Sequence, residues 1–215
     1  MRRVLVICLA ATLAACGSDD DDDGGAPAAT VNVTGDNTFT GTNAIGYSTA
    51  TPLTCTVEGV PAPVSTAILA VFVTDTGGDA CALVNANQER KGMGGISILI
   101  ARWNVLGGTP PPLGPGTYRI DSNFLPDGQG NVTFAAASAS KNEPGTCGAR
   151  SLEAESGTVT ITSVSGGVIS GSVDGTIDAV DGGGKITGTF TTAPCALATP
   201  SCDAIVDDSP GVCVD

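Results

Sequence analysis

The chain has 215 residues, 41% of them apolar and only 14% charged, with no histidine and a net charge of −13. That acidity argues against nucleic acid and against electrostatic docking on anionic lipid, since both reward clustered Lys and Arg. The missing histidine removes the commonest general base and the commonest metal ligand.

At the N-terminus, Arg2 and Arg3 precede an apolar run, Val4 to Leu13, that ends Leu13-Ala14-Ala15-Cys16. A basic start, about 7–15 apolar residues and small residues before a cut make a secretory signal, not a span, which takes about 20. The stretch resembles a bacterial lipobox. The resemblance implies removal of residues 1–15, a diacylglycerol thioether on Cys16 and acylation of the new amine with a chain such as palmitate, so that the membrane is the partner through that anchor. Without Arg2 and Arg3 the mature chain carries −15. Gly17, where an aspartate would favour the inner membrane, resembles outer-membrane sorting, with the periplasmic and cell-surface faces both open. Next come Asp19 to Asp23 and Gly24-Gly25-Ala26-Pro27. A like-charge run followed by small residues repels itself and buries nothing, so 16–30 is expected to be an acidic tether. Such a run also resembles surface-export signals of some bacterial groups. It lacks the turn glycine of a calcium loop.

Residues 31–215 are expected to form one domain, because the apolar share supports one core and no later linker is long enough to separate a second. In chain order, strands are expected at Asn37 to Gly41 and Leu53 to Glu58, then at Ala67 to Val73 and Ile96 to Trp103. The last two are apolar on both alternating faces and so should be central and covered on each side. Asp79 to Arg90 can form a short helix with Asp79 as cap. Gly107 to Gly116 holds Pro110, Pro111, Pro112 and Pro115 and is a loop, because proline cannot join a ladder. Further strands are expected at Gly116 to Asp121, Asn131 to Ser140 and Leu152 to Glu155. Then Gly157 to Thr162, Ile169 to Ile177 and Ile186 to Phe190 alternate apolar with Thr, Ser and Asp, between Gly-rich turns; they predict an antiparallel meander with one wet face. The sum is an all-β antiparallel sandwich of about eight to ten strands, with a closed up-and-down barrel as the alternative.

The meander pattern, together with Gly116-Thr-Tyr-Arg-Ile and the end at Cys195, resembles uncharacterised β-rich lipoproteins of myxobacteria and related bacteria. That resemblance implies location and fold, and no activity.

Cys8 leaves with the signal and Cys16 takes lipid, which leaves Cys55, Cys81, Cys147, Cys195, Cys202 and Cys213. An even number in an oxidising compartment predicts three disulfides among fifteen pairings. Cys81 with Cys147 would tie the two halves while the late cysteines clamp the tail. A zinc site has no Cys-x-x-Cys pair to start from.

Candidates for chemistry are few. Gly46-Tyr47-Ser48 approaches a nucleophile elbow, but no base accompanies it and Lys91, Lys141 and Lys185 fall in turn-like positions, so Ser48 is expected in a loop. Glu153 and Glu155 would share one strand face about 7 Å apart, as parallel surface charges rather than a pair flanking a sugar. Lys185 can pair with Asp174 or Asp178 across a turn. Asp203, Asp207, Asp208 and Asp215 crowd the tail without a calcium motif. Trp103 is expected in the core. Asn32 and Asn131 head glycosylation sequons that a bacterial lipoprotein would ignore.

Polar strand faces, few aromatics and no catalytic base point to a non-catalytic binding or structural module of the envelope, without cofactor or metal. Its partner would be an envelope polymer, a glycan or a protein, met through loops such as Gly107 to Gly116. The alternatives are a carbohydrate-active enzyme using Glu153 or an aspartate, and a carrier of lipid or another apolar ligand.

Overall fold

The structure, a computed structural model, describes residues 27–49, 51–55, 63–121, 125–197 and 212–214. The signal segment, Cys16, most of the expected tether, Cys202 and the tail aspartates Asp203, Asp207, Asp208 and Asp215 lie outside the described residues.

The strands are β1 (Ala28–Val33), β2 (Phe39–Gly41), β3 (Asn43–Ser48), β4 (Leu53–Cys55), β5 (Val64–Thr74), β6 (Gln88–Arg90) and β7 (Gly94–Asn104). They continue with β8 (Gly116–Ile120), β9 (Asn131–Lys141), β10 (Leu152–Ser165), β11 (Val168–Ile177), β12 (Lys185–Thr191), β13 (Ala193–Pro194) and β14 (Val212–Val214). Among the described residues one α-helix, α1 (Ala80–Asn85), and one 3-10 turn at Ala179–Asp181 accompany them. The protein is all-β, as expected.

Twelve strands form one curled sheet, a half-barrel, in the order β13-β3-β5-β7-β9-β8-β10-β11-β12-β1-β2, with β4 beside β5. β6 and β14 make a separate parallel pair. The purely antiparallel arrangement expected from the sequence does not hold. The large sheet is mixed, because β8 runs parallel to β9 and β13 runs parallel to β3. The strands also outnumber the eight to ten expected, because β1, β3, β6, β13 and β14 are additional; of these β1 does alternate, burying Ala29, Val31 and Val33.

The meander β10-β11-β12 forms as its alternation predicts. Val159, Ile161, Ile169, Val173 and Ile186 point inward, and with Val31, Val33, Leu69, Val71, Val73, Ile96, Ile98 and Ile100 they fill the concave side. β5 and β7 are covered on their other face as well. There Ile68, Ala70 and Leu99 lie against Tyr47, Leu53, Phe72 and Phe134, and Trp103 packs with Val64, Ala101 and Val132, in the core as expected.

Two chain segments pass from one flank of the curl to the other. β2 pairs with β1, yet β3, two residues on, pairs with β5; β12 pairs with β11 and β1, yet β13 pairs with β3. Thr192 sits at the second crossing, where its N–H donates to Ile169 O at 3.0 Å and its Oγ1 accepts from Ile169 N at 2.9 Å. Strand directions define one rim of the sheet: β7, β10 and β12 end along it, while β8, β9, β11 and β1 begin there.

Several boundaries differ from expectation. β1 opens at Ala28, paired with Thr191, so residues 28–30 belong to the sheet rather than to the tether. Ser48 closes β3 instead of lying in a loop. Asp79 caps α1 as expected, accepting from Ala82 N at 2.9 Å, but the helix stops at Asn85 because Asn87 turns the chain with a positive φ of 48° into β6.

Two disulfides join described residues, Cys81–Cys195 and Cys147–Cys213. The expected pairing of Cys81 with Cys147 is therefore wrong. α1 packs on the convex face beside Ile45, where residues 193–197 also lie, which places Cys81 next to Cys195. Cys147 instead reaches the tail, where β14 lies against β6. Cys55 is likewise disulfide-bonded.

Candidate functional site

A groove of about 310 Å³ is lined by Arg102, Thr117, Tyr118, Arg119, Asp121 and Thr133. It exists because β8 is a wedge. β9 and β10 pair with each other only at Leu152↔Ala139 and Glu153↔Ser138; beyond that point β8 enters between them and meets β9 at the single pair Ile120↔Ala135. Neighbouring strands that share so little ladder leave space beside the shorter one.

Each lining residue follows from strand alternation. On β8, Tyr118 and Ile120 are buried in the core, which turns Thr117 and Arg119 outward. On β7, Arg102 continues the face of Ile98 and Ile100 to the edge of the core, opposite Thr133 on β9. There its Nε donates to Thr133 Oγ1 at 3.0 Å and its Nη1 to Pro112 O at 3.4 Å. The Pro-rich loop is thereby tied across the core edge. Leu113 packs against the core, and Tyr118 Oη donates to Gly114 O at 2.6 Å. Arg119 Nε, exposed, lies 3.4 Å from Oδ2 of the half-buried Asp121, and Thr117 and Thr160 share a hydroxyl hydrogen bond of 3.3 Å.

Above the groove, the two loops of the rim are fixed by a polar network. Asn104 Nδ2 donates to Asn131 Oδ1 and to Gln129 O, both at 3.0 Å, while Asn104 Oδ1 accepts from Leu106 N at 2.9 Å and Gly108 N at 3.2 Å. Asp127 Oδ1 accepts from Gln129 N and Asn131 N, both at 2.8 Å. These bonds hold the Asp127 carboxyl below its ordinary range; the Asn131 N–H contributes most, then the Asn131 carboxamide, then the Gln129 N–H, with a smaller contribution from the Arg102 charge.

The lining side chains offer hydrogen bonds and ion pairs. A guanidinium presents a planar fork that suits carboxylate or phosphate oxygens, and threonine hydroxyls both donate and accept. The volume falls at the small end of ligand sites, roughly 300–1,000 Å³. Among the described residues no cluster of three or more Cys, Asp or Glu suited to a metal ion occurs.

The candidates read from sequence do not meet in this groove. Ser48 is on β3 and Trp103 is buried on the other face of β7. Glu153 and Glu155 lie on β10, but a register shift between Ala154 and Ser156 breaks the alternation that would put them on one face. Lys185 does approach Asp174, at 3.9 Å with both side chains exposed, a pair worth less than about 1 kcal/mol. Only the Pro-rich loop borders the groove. Apolar patterning does not single out Arg102 and Arg119, although two arginines on separate strands stand out in a chain with nine Lys and Arg in all. No family model, curated protein or solved structure matches this chain.

Proposed function

We propose that this is a lipid-anchored protein of the bacterial outer membrane, held at Cys16, and a non-catalytic binding module for an envelope polymer that carries carboxylate or phosphate groups. The observation that carries the reading is the groove, which Arg102 and Arg119 line together with Thr117 and Thr133 in an otherwise acidic protein. Acidic surroundings weaken non-selective attraction to polyanions, so binding there would depend on groups that fit the fork rather than on bulk charge. The lipobox supports the anchor, and the resemblance to β-rich lipoproteins supports the location.

Of the two architectures expected, chain segments that pass between the flanks of the curl favour a barrel over a sandwich. Side chains fill the concave face, which speaks for a packed core over a carrier's cavity.

The test is a binding panel of acidic and neutral envelope polysaccharides and teichoic-type polymers, using wild type, Arg102→Gln and Arg119→Gln. Acidic polymers should bind saturably, and each substitution should weaken that binding about tenfold, the loss of a charge-assisted bond. Equal binding by all three proteins, or none across the panel, overturns the proposal.

A further inference from the structure

We infer that the rim carrying Val105, Leu106 and Leu125 rests on the surface of the bilayer in which the chain is anchored, an inference that depends on the proposed lipid at Cys16. Three large apolar side chains are exposed along this rim: Leu106 at 79%, Leu125 at 81% and Val105 at 44%. A single exposed leucine needs no explanation, but these three stand on two neighbouring loops that are bonded to each other around Asn104, Asp127 and Asn131. Val105 N donates to Gly130 O at 2.9 Å, Leu106 N is held by the Asn104 carboxamide, and Asp127 N donates to Asn131 O at 2.8 Å. The backbone is held at Val105, Leu106 and Asp127, while the Leu106 and Leu125 side chains stay exposed. Such an arrangement presents apolar groups without the ordering cost that a free loop would incur on contact.

The position where the first strand opens points to the occupant. β1 begins at Ala28 on this same rim: Ala28 faces Thr191, Thr191 faces Ser170, and β10, whose other edge pairs with the start of β8, turns there into β11. Residues 17–27 reach about 40 Å from Cys16 at full extension. β11, which runs from this rim to the one where Val180 is exposed, has 10 residues and is about 33 Å long at ~3.3 Å per residue. The tether joins the sheet at this rim, so contact here needs none of its length, whereas presenting the opposite rim, where Val180 is exposed at 79%, would use up most of it. With the anchor holding the domain near the surface, even weak insertion is favoured by effective concentration. None of the three apolar side chains lines the groove.

The experiment uses the full, lipidated protein in vesicles of phosphatidylethanolamine and phosphatidylglycerol, on a Trp103→Phe background, with one tryptophan placed at Leu106→Trp or at Val180→Trp. Mass spectrometry first reads the lipid on Cys16. With brominated acyl chains, the Leu106→Trp protein should lose roughly half its emission and shift to the blue, as for a side chain at the headgroup and acyl boundary. The Val180→Trp protein should stay unquenched. A Cys16 without lipid sinks the anchoring reading and the contact together. Lipid on Cys16 with Leu106→Trp unquenched, or with both positions quenched alike, sinks the contact alone. If Trp103→Phe does not fold, a nitroxide at Leu106→Cys against Val180→Cys reads the same depth difference.

Discussion

Asn104 and Asn131 face each other at the ends of β7 and β9 and share a buried hydrogen bond of 3.0 Å. Around that bond, the Asn104 carboxamide also serves Gln129 O, Leu106 N and Gly108 N, so one side chain stands in for the backbone partners that two loops would otherwise lack. Asn104→Ala takes this partner from those groups and from Asn131 Oδ1, while the Asn131 Nδ2 bond to Asp127 stays. The expected loss is about 2–3 kcal/mol. Urea denaturation measures it, and a loss under about 0.5 kcal/mol would mean that water replaces the carboxamide.

Asp127 supplies a pH dependence to the same rim. Its carboxyl lies below the ordinary value of 3.8 because the Asn131 N–H, the Asn131 carboxamide and the Gln129 N–H all favour the ionised form. A lowered native value means that the unfolded chain binds the proton first, so this contribution is complete above about pH 3.8 and disappears as pH falls through the native value. Carboxyl NMR should show Asp127 titrating below a reference aspartate. The Gln129 and Asn131 amide signals should move at the same pH, and in Asp127→Asn that movement should vanish.

The sheet's legibility followed the strength of its alternation. β10, β11 and β12 were readable because apolar and hydroxyl residues alternate between glycine turns, and β5 and β7 because their length and unbroken apolarity demand cover on both faces. β1 was not, since Ala-Ala-Thr-Val continues the small-residue composition of the stretch before it. β3 was hidden for a similar reason, and β6, β13 and β14 are strands of two or three residues held by distant partners. The groove was illegible because it arises where β8 departs from β9, a property of register that no local pattern encodes. Pro126-Asp127-Gly128 is a turn signature that does announce the Asp127 loop.

Gly46 tests the crossing between the flanks. A Cβ built there would lie 2.4 Å from Thr192 Oγ1 and 2.8 Å from Ile169 Cδ1, and that hydroxyl is the one accepting from Ile169 N. Gly46→Ala should push Thr192 off its partner and cost about 2 kcal/mol through overpacking and the lost bond. A matching Gly77→Ala control has open space around it and should change stability by less than about 0.5 kcal/mol. Equal melting temperatures for the two variants would show that β3 yields easily at this crossing.

The disulfides Cys81–Cys195 and Cys147–Cys213 should open under reduction in a fixed order. Cys195 is buried against α1, whereas Cys213 is exposed on β14, a three-residue strand whose ladder is confined to β6. A thiolate must reach a sulfur to attack it, so access favours Cys147–Cys213 as the first to open. Limited dithiothreitol followed by alkylation and peptide mass mapping should label Cys147 and Cys213 before Cys81 and Cys195, while far-ultraviolet circular dichroism retains its β signal. The bridges close 66 and 114 residues, spans whose chain-entropy contributions differ by only about 0.5 kcal/mol, so loop length alone would not separate them in stability. Cys147→Ser with Cys213→Ser should therefore cost about 2–4 kcal/mol and leave a folded sheet. Removing Cys81 and Cys195 should cost more, because serines would be left in the apolar contact between α1 and Ile45. Labelling of Cys81 and Cys195 first would mean that α1 opens more readily than the tail.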